Sequence, residues 1–326
     1  MTHADPFAIR ELLGPDAAPG HRALTGEHGV VLPPFTDHHV HLHLIDEHGL
    51  APHGIASAVD LGGDPVELAR RPREGFPRLS YAGAFLTAPG GYPVGRPWAP
   101  AAIAREVTDA QTAPGVPGGA GTWVDEQAGC GASVIKVALN AAAGPVLDHD
   151  ALAAIVSCAH ERGLPVVAHV EGDGMLRLAL DTGVDALAHT PFTQRVGLRL
   201  MARAAASQTW ISTLDIHGSD PEAAANAVAN LAAFREAGGR ILYGTDLGNG
   251  DRPAGVQVGE LAALVRAGLG GPEVIAALAD PWPGADPAHG VATFVPGEAP
   301  AALEDVPAWI GGATVVPEEE VVRDEH

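Results

Sequence analysis

The feature that most constrains this chain is an alternation. Short apolar runs, each bounded by Gly, Pro or a polar residue, alternate with Ala- and Leu-rich segments of helical period. The strand-like runs fall at 29–35, 56–61, 79–85, 134–139, 165–170, 186–189, 210–214 and 241–245. Between the later runs the pattern predicts helices at 148–162, 173–181, 194–206, 221–237 and 256–267. The first of these starts at Asp148 and stops at Gly163, a capped pattern. Strand followed by helix over about 200 residues implies a parallel sheet. Eight such strands favour closure into a (β/α)8 TIM barrel over an open doubly wound sheet.

The ends of the chain read differently. Pro and Gly are dense between residues 88 and 121, which predicts long loops over one barrel face. After residue 290, short runs at 291–295, 308–310 and 313–316 predict small strands separated by turns. The expected organisation is an N-terminal arm at 1–28, a (β/α)8 barrel at 29–289, and a C-terminal β appendage with an acidic tail at 290–326.

Composition excludes several classes of function. The formal net charge is -21, from 40 acidic and 19 basic residues. A chain so acidic lacks the basic face that phosphate backbones or anionic lipid surfaces require, so no nucleic-acid or membrane partner is expected. The acidic runs Glu318-Glu319-Glu320 and Asp324-Glu325 read as a solvated tail. Two cysteines, Cys130 and Cys158, are too few for a disulfide framework and have no metal-ligand spacing. They read as small core residues in a reducing compartment. With no basic segment followed by an apolar run at the start, and no long apolar stretch, the expected location is cytoplasmic.

Chemistry in a (β/α)8 barrel sits at the C-terminal rim of the strands. The first strand runs into Asp37-His38-His39-Val40-His41, where alternation points His39 and His41 the same way and His38 the other, toward packing. Two imidazoles on one side of a strand can share a metal ion. Lys136 lies inside the apolar run Val134-Ile135-Lys136-Val137, where an ammonium is costly unless it has a partner or is modified. His169, His189 and Asp246 end three further strands. Taken singly, each has an ordinary structural explanation. Jointly, five of eight strands bring ligand-type side chains to one rim.

The order HxH, Lys, His, His, Asp resembles the amidohydrolase superfamily, in particular its imidazolonepropionase-like and prolidase-like branch. The stretches 54–63, 159–169 and 183–189 look like that branch, as do Thr87-Ala88-Pro89-Gly90-Gly91-Tyr92 and Tyr243-Gly244-Thr245-Asp246. The resemblance covers residues 35–269. It implies that His39, His41 and Asp246 hold one metal, that His169 and His189 hold a second, and that carboxylated Lys136 bridges the two. Zinc suits such nitrogen and oxygen donors; a single ion or another divalent metal stays open. The branch usually carries a longer β segment before the HxH strand, so the β appendage here is expected to be small.

The reaction implied is hydrolysis of an amide-like C–N bond in a small molecule, of the cyclic amide or dipeptide type. A metal makes water nucleophilic near neutral pH, and Asp246 would be the general base and then acid. The alternatives are deamination of a heterocycle at the same site, and a non-catalytic scaffold. Tyr92, His217 and Arg252 follow strands and are candidates to bind substrate, each with a packing or solvation alternative. His160, on a helix, reads as structural. Whether the chain forms a homo-oligomer is left open.

Overall fold

The computed structural model describes residues 6–72, 74–284 and 288–324. The first five residues, Arg73, the segment 285–287 and the last two residues lie outside the described residues, and with them Glu325 of the expected acidic tail. Among the described residues fifteen strands follow in order: β1 Ala18–Arg22, β2 His28–Leu32, β3 Phe35–Val40, β4 Ile55–Asp60, β5 Arg78–Tyr81, β6 Phe85–Thr87, β7 Ala104–Glu106 and β8 Ile135–Asn140. Then come β9 Val166–Glu171, β10 Ala186–Leu187, β11 Thr209–Ile211, β12 Arg240–Leu242, β13 Val291–Pro296, β14 Thr314–Pro317 and β15 Val321–Arg323.

Ten of these strands are parallel and form two sheets, β12-β11-β10-β9-β8-β6-β7 and β3-β4-β5. The fold is therefore mixed α/β with parallel sheets, with helices in the connections such as His149–Glu161 and Pro221–Glu236. The expected eight-stranded barrel is not one continuous closed ladder, and the two seams show why. The third barrel strand, expected at 79–85, is split into β5 and β6. Between them Gly83 adopts φ 76° and the Ala84 amide donates to Gln127 Oε1 rather than to a neighbouring strand. At the other seam the Thr245 amide donates to the Asp37 carboxylate, while His38 N and His41 N donate to the carbonyls of Tyr243 and Leu247. At each seam a side chain takes a place a strand partner would otherwise fill.

The two sheets nevertheless share an interior. Val59, Val134, Val167, Ala186, Ile211 and Leu242, from five strands and the start of β8, pack in one apolar cluster. A larger cluster outside it joins strands to helices, including Phe35, Ile135, Trp210 and Phe234. Trp210 and Phe234 stack with ring centres 3.9 Å apart, fixing the helix Pro221–Glu236 over β11.

The remaining five strands form an antiparallel sheet, β14-β13-β2-β1-β15, that draws on both ends of the chain. The strand expected at 29–35 is thus two strands. The turn at Pro33-Pro34 ends β2 in this sheet and starts β3 in the parallel one, because Pro cannot donate to a ladder. The strand expected at 308–310 is instead the helix Val306–Ile310, with Pro307 in its first turn where no amide partner is needed. Among the described residues no helix is long and apolar enough to cross a membrane.

Candidate metal centre

The strand β3 delivers His39 and His41, and the segment after β12 delivers Asp246. The Nε2 atoms of His39 and His41 lie 3.1 and 3.2 Å from the same oxygen, Asp246 Oδ1. All three residues are buried, and one donor atom from each lies within 4.8 Å of the others. Each imidazole is aimed by its far nitrogen: His39 Nδ1 meets Ala188 O at 2.9 Å and His41 Nδ1 meets Gly62 O at 3.2 Å. A backbone carbonyl on Nδ1 leaves Nε2 free as an electron-pair donor, the arrangement of metal-bound histidine. His39 Nε2 is buried without a hydrogen-bond partner despite its closeness to Asp246. A buried nitrogen left in this state is costly, and a cation between the three residues would satisfy it. The donor set therefore fits a divalent ion.

Among the described residues, Asp246 is one of two non-glycine residues with positive φ, at 53°; the other is Thr213, at 43°. Both follow strands at this site, and Thr213 Oγ1 lies 2.8 Å from His189 Nδ1. Strained backbone held beside ligand-type side chains is a mark of a working site. Burial alone would raise the Asp246 pKa, but the charges of His39, His41 and His189 and a hydrogen bond from His41 hold it well below the ordinary value. Burial keeps His39, His169 and His189 below the ordinary imidazole pKa. It acts the same way on His41, but the hydrogen bond and charge of Asp246 outweigh it and raise that pKa.

The other expected ligands stand alongside. The His189 ring is 4.8 Å from that of His39 and 5.0 Å from that of His169. Lys136 is 1% exposed, and burial pushes its pKa down to about 7. All six residues line one cavity of about 450 Å³. Tyr92 lines it too, stacked on His169 with ring centres 5.1 Å apart. So does His217, whose buried Nε2 has no partner.

Arg252, expected as a carboxylate binder, is placed differently. It does not line the cavity; its Nη2 donates to the carbonyls of Thr245, Asp246 and Asn249 at 2.7, 3.3 and 3.2 Å. The three carbonyls converge on this one nitrogen, and the result is a clasp on the Asp246 turn. His38 packs as expected, its ring nitrogens facing Tyr243 O and Asp280 O. His160 pairs with Asp185 on the surface.

Sequence reasoning missed Asn140 and Glu171. Asn140 Nδ2 donates to Glu171 Oε2 at 2.7 Å and sits 3.2 Å from His169 Nε2, which lies 3.3 Å from the same carboxylate. The signal was present: Asn140 is four residues after Lys136 and Glu171 two after His169, so alternation puts each on the ligand's face. Phe85, Trp98 and Phe192 supply the apolar wall.

No family model matches the chain. It is 29% identical to uncharacterized proteins of Mycobacterium bovis and Mycobacterium tuberculosis, over 76% of this chain and 72% of each relative. Similar solved structures include an Xaa-Pro dipeptidase with methionine bound in its active site, at TM-score 0.69 and 16% identity over 90% of this chain and 87% of that one. A structure described as an amidohydrolase matches at TM-score 0.67 and 20% identity, over 90% and 87%. Bottromycin amidohydrolase matches at 0.62 and 22%, over 90% and 77%. The chain thus has the fold of prolidase-like and amidohydrolase structures.

Proposed function

We propose that the protein is a metal-dependent amidohydrolase that cleaves an amide-like C–N bond in a small cyclic amide or dipeptide-type substrate. The observation that carries this reading is the convergence of His39 Nε2 and His41 Nε2 on Asp246 Oδ1, with His39 Nε2 otherwise unpartnered. The fold shared with prolidase-like and amidohydrolase structures supports it. We read the two parallel sheets as one (β/α)8 barrel interrupted at its seams, with the cavity at its C-terminal rim.

In this reading His39, His41 and Asp246 would hold one divalent ion, and His169 and His189 a second. Carboxylation of Lys136 at Nζ would turn a buried ammonium into an anionic ligand for the same centre. A zinc pair would supply Lewis acidity and make water nucleophilic near neutral pH. Asp246 takes the proton from the attacking water and returns it to the leaving nitrogen. Asn249 Nδ2, 2.9 Å from Asp246 Oδ2, holds the carboxylate in place for both transfers. His217 Nε2 donates to the carbonyl oxygen as its negative charge grows. Phe85, Tyr92, Trp98 and Phe192 exclude bulk water and hold the substrate's apolar part.

Metal analysis of the purified protein beside Lys136→Ala tests the centre. Loss of one ion in the variant relative to the wild-type chain supports the bridged pair, and an unchanged metal content overturns it. The buried lysine beside the histidines favours amide hydrolysis over deamination of a heterocycle. A screen for ammonia release against release of an amine or amino acid decides between the two.

A further inference from the structure

A second group of ligand-type side chains lies on the antiparallel sheet, outside the cavity. His21 on β1 and His28 on β2 are directly opposite one another in the ladder, with ring centres 5.4 Å apart. Across the other edge of β1, His21 is opposite Val322 of β15. Opposed residues share a face, and so do residues two apart on one strand. Asp324, two residues beyond Val322, therefore joins the two histidines on one face. Its amide donates to Pro19 O at 2.9 Å, which carries the pairing one residue past β15. His21 Nδ1 is 3.2 Å from Asp324 Oδ1, and one donor atom from each of the three lies within 4.8 Å of the others.

We propose that His21, His28 and Asp324 form a second metal site, for a late first-row divalent cation such as zinc, that ties both ends of the chain together. Two imidazoles and a carboxylate select this class over magnesium or calcium, which prefer all-oxygen shells. Donors bound to one tetrahedral zinc at about 2.0–2.1 Å stand about 3.3 Å from each other. The His21–Asp324 separation already matches, and small rotations of the exposed His28 ring close the rest. His21 and Asp324 are half-buried and His28 is exposed, so water can fill the fourth position. Nothing of the substrate cavity reaches this face, so the site is a clasp. It joins β15 through β1 to β2, linking residues 303 positions apart. An ion that binds the folded chain and is released on unfolding stabilises the fold by mass action.

The test uses the full-length protein, stripped with chelator and titrated with zinc against a chromophoric competitor, beside His28→Ala. The exposed His28 can be shortened without disturbing a core. The expected result is one fewer bound zinc equivalent in His28→Ala, with hydrolytic activity unchanged. Zinc should also raise the unfolding temperature of the wild-type chain further than that of the variant, and magnesium should not reproduce the difference. Equal zinc stoichiometry in the two proteins, or an equal zinc-induced shift, overturns the proposal. Because the variant leaves His39, His41 and Asp246 intact, failure here is distinguishable from failure of the hydrolase reading.

Discussion

Asp37 grips Thr245 twice: its Oδ1 accepts the Thr245 amide at 3.1 Å, and its Oδ2 accepts the Thr245 hydroxyl at 2.5 Å. Asp37 lies two residues before His39 and Thr245 one before Asp246. The pair therefore holds together two elements, β3 and the turn after β12, whose side chains converge at the centre. Both residues are fully buried.

From this follows a prediction about metal affinity. Asp37→Asn keeps the size of the side chain but replaces one acceptor with a donor facing the Thr245 hydroxyl. Zinc affinity should fall roughly 10- to 100-fold, the usual effect of disturbing the groups behind metal ligands. Chelator competition measures it. An unchanged affinity would show that β3 and Asp246 are held in place without this grip.

His217 is expected to act on substrate and not on metal. In His217→Asn the loss of a donor to the developing oxyanion should lower kcat/KM by about 10²-fold. Metal content should stay at the wild-type value. A fall in bound metal would instead place His217 among the groups that support the ligands.

The Arg252 clasp predicts a split between kinetic parameters. All three carbonyls meet one nitrogen, Nη2, and a lysine side chain ends one bond short of that position, so its ammonium cannot sit where they converge. Arg252→Lys should let the Asp246 turn drift and lower kcat roughly 10- to 100-fold, since a small misplacement of a reacting group is costly. KM should change little. A rise in KM confined to substrates with a carboxylate would restore the arginine as a substrate binder.

Glu260 predicts a dependence of stability on pH. It is fully buried, and burial, outweighing hydrogen bonds from Ser212 and from the Leu214 and Asp215 amides, raises its pKa from 4.5 to about 7. Between those values the folded chain keeps a proton that the unfolded chain has released. The contribution is therefore full below pH 4.5 and is lost as pH rises to about 7, a change on the order of 3 kcal/mol. Glu260→Gln should flatten this part of the profile and be more stable than wild type at pH 8. The Asp215 amide, which donates to Glu260 Oε2 at 2.8 Å, keeps an acceptor in the variant. Denaturant unfolding from pH 5 to 8 measures both slopes, and parallel profiles would refute the assignment.

The sequence by itself determined the strand and helix alternation, the placing of His39, His41, His169, His189 and Asp246 on or just after strands, and that of Lys136 within one. It also separated His38 from the cavity. These rest on local periods: two residues per repeat in a strand and a cap at each helix start. Only the tertiary structure decided that Gln127 would take the Ala84 amide and split the third strand, that 308–310 would be helical, and that β2 would leave the parallel sheet for the antiparallel one. It also decided that Arg252 would fold back on the Asp246 turn instead of facing the cavity. Most of these outcomes depend on partners brought from distant parts of the chain. A periodic pattern shows which face a side chain takes, but not which acceptor from elsewhere will meet it there.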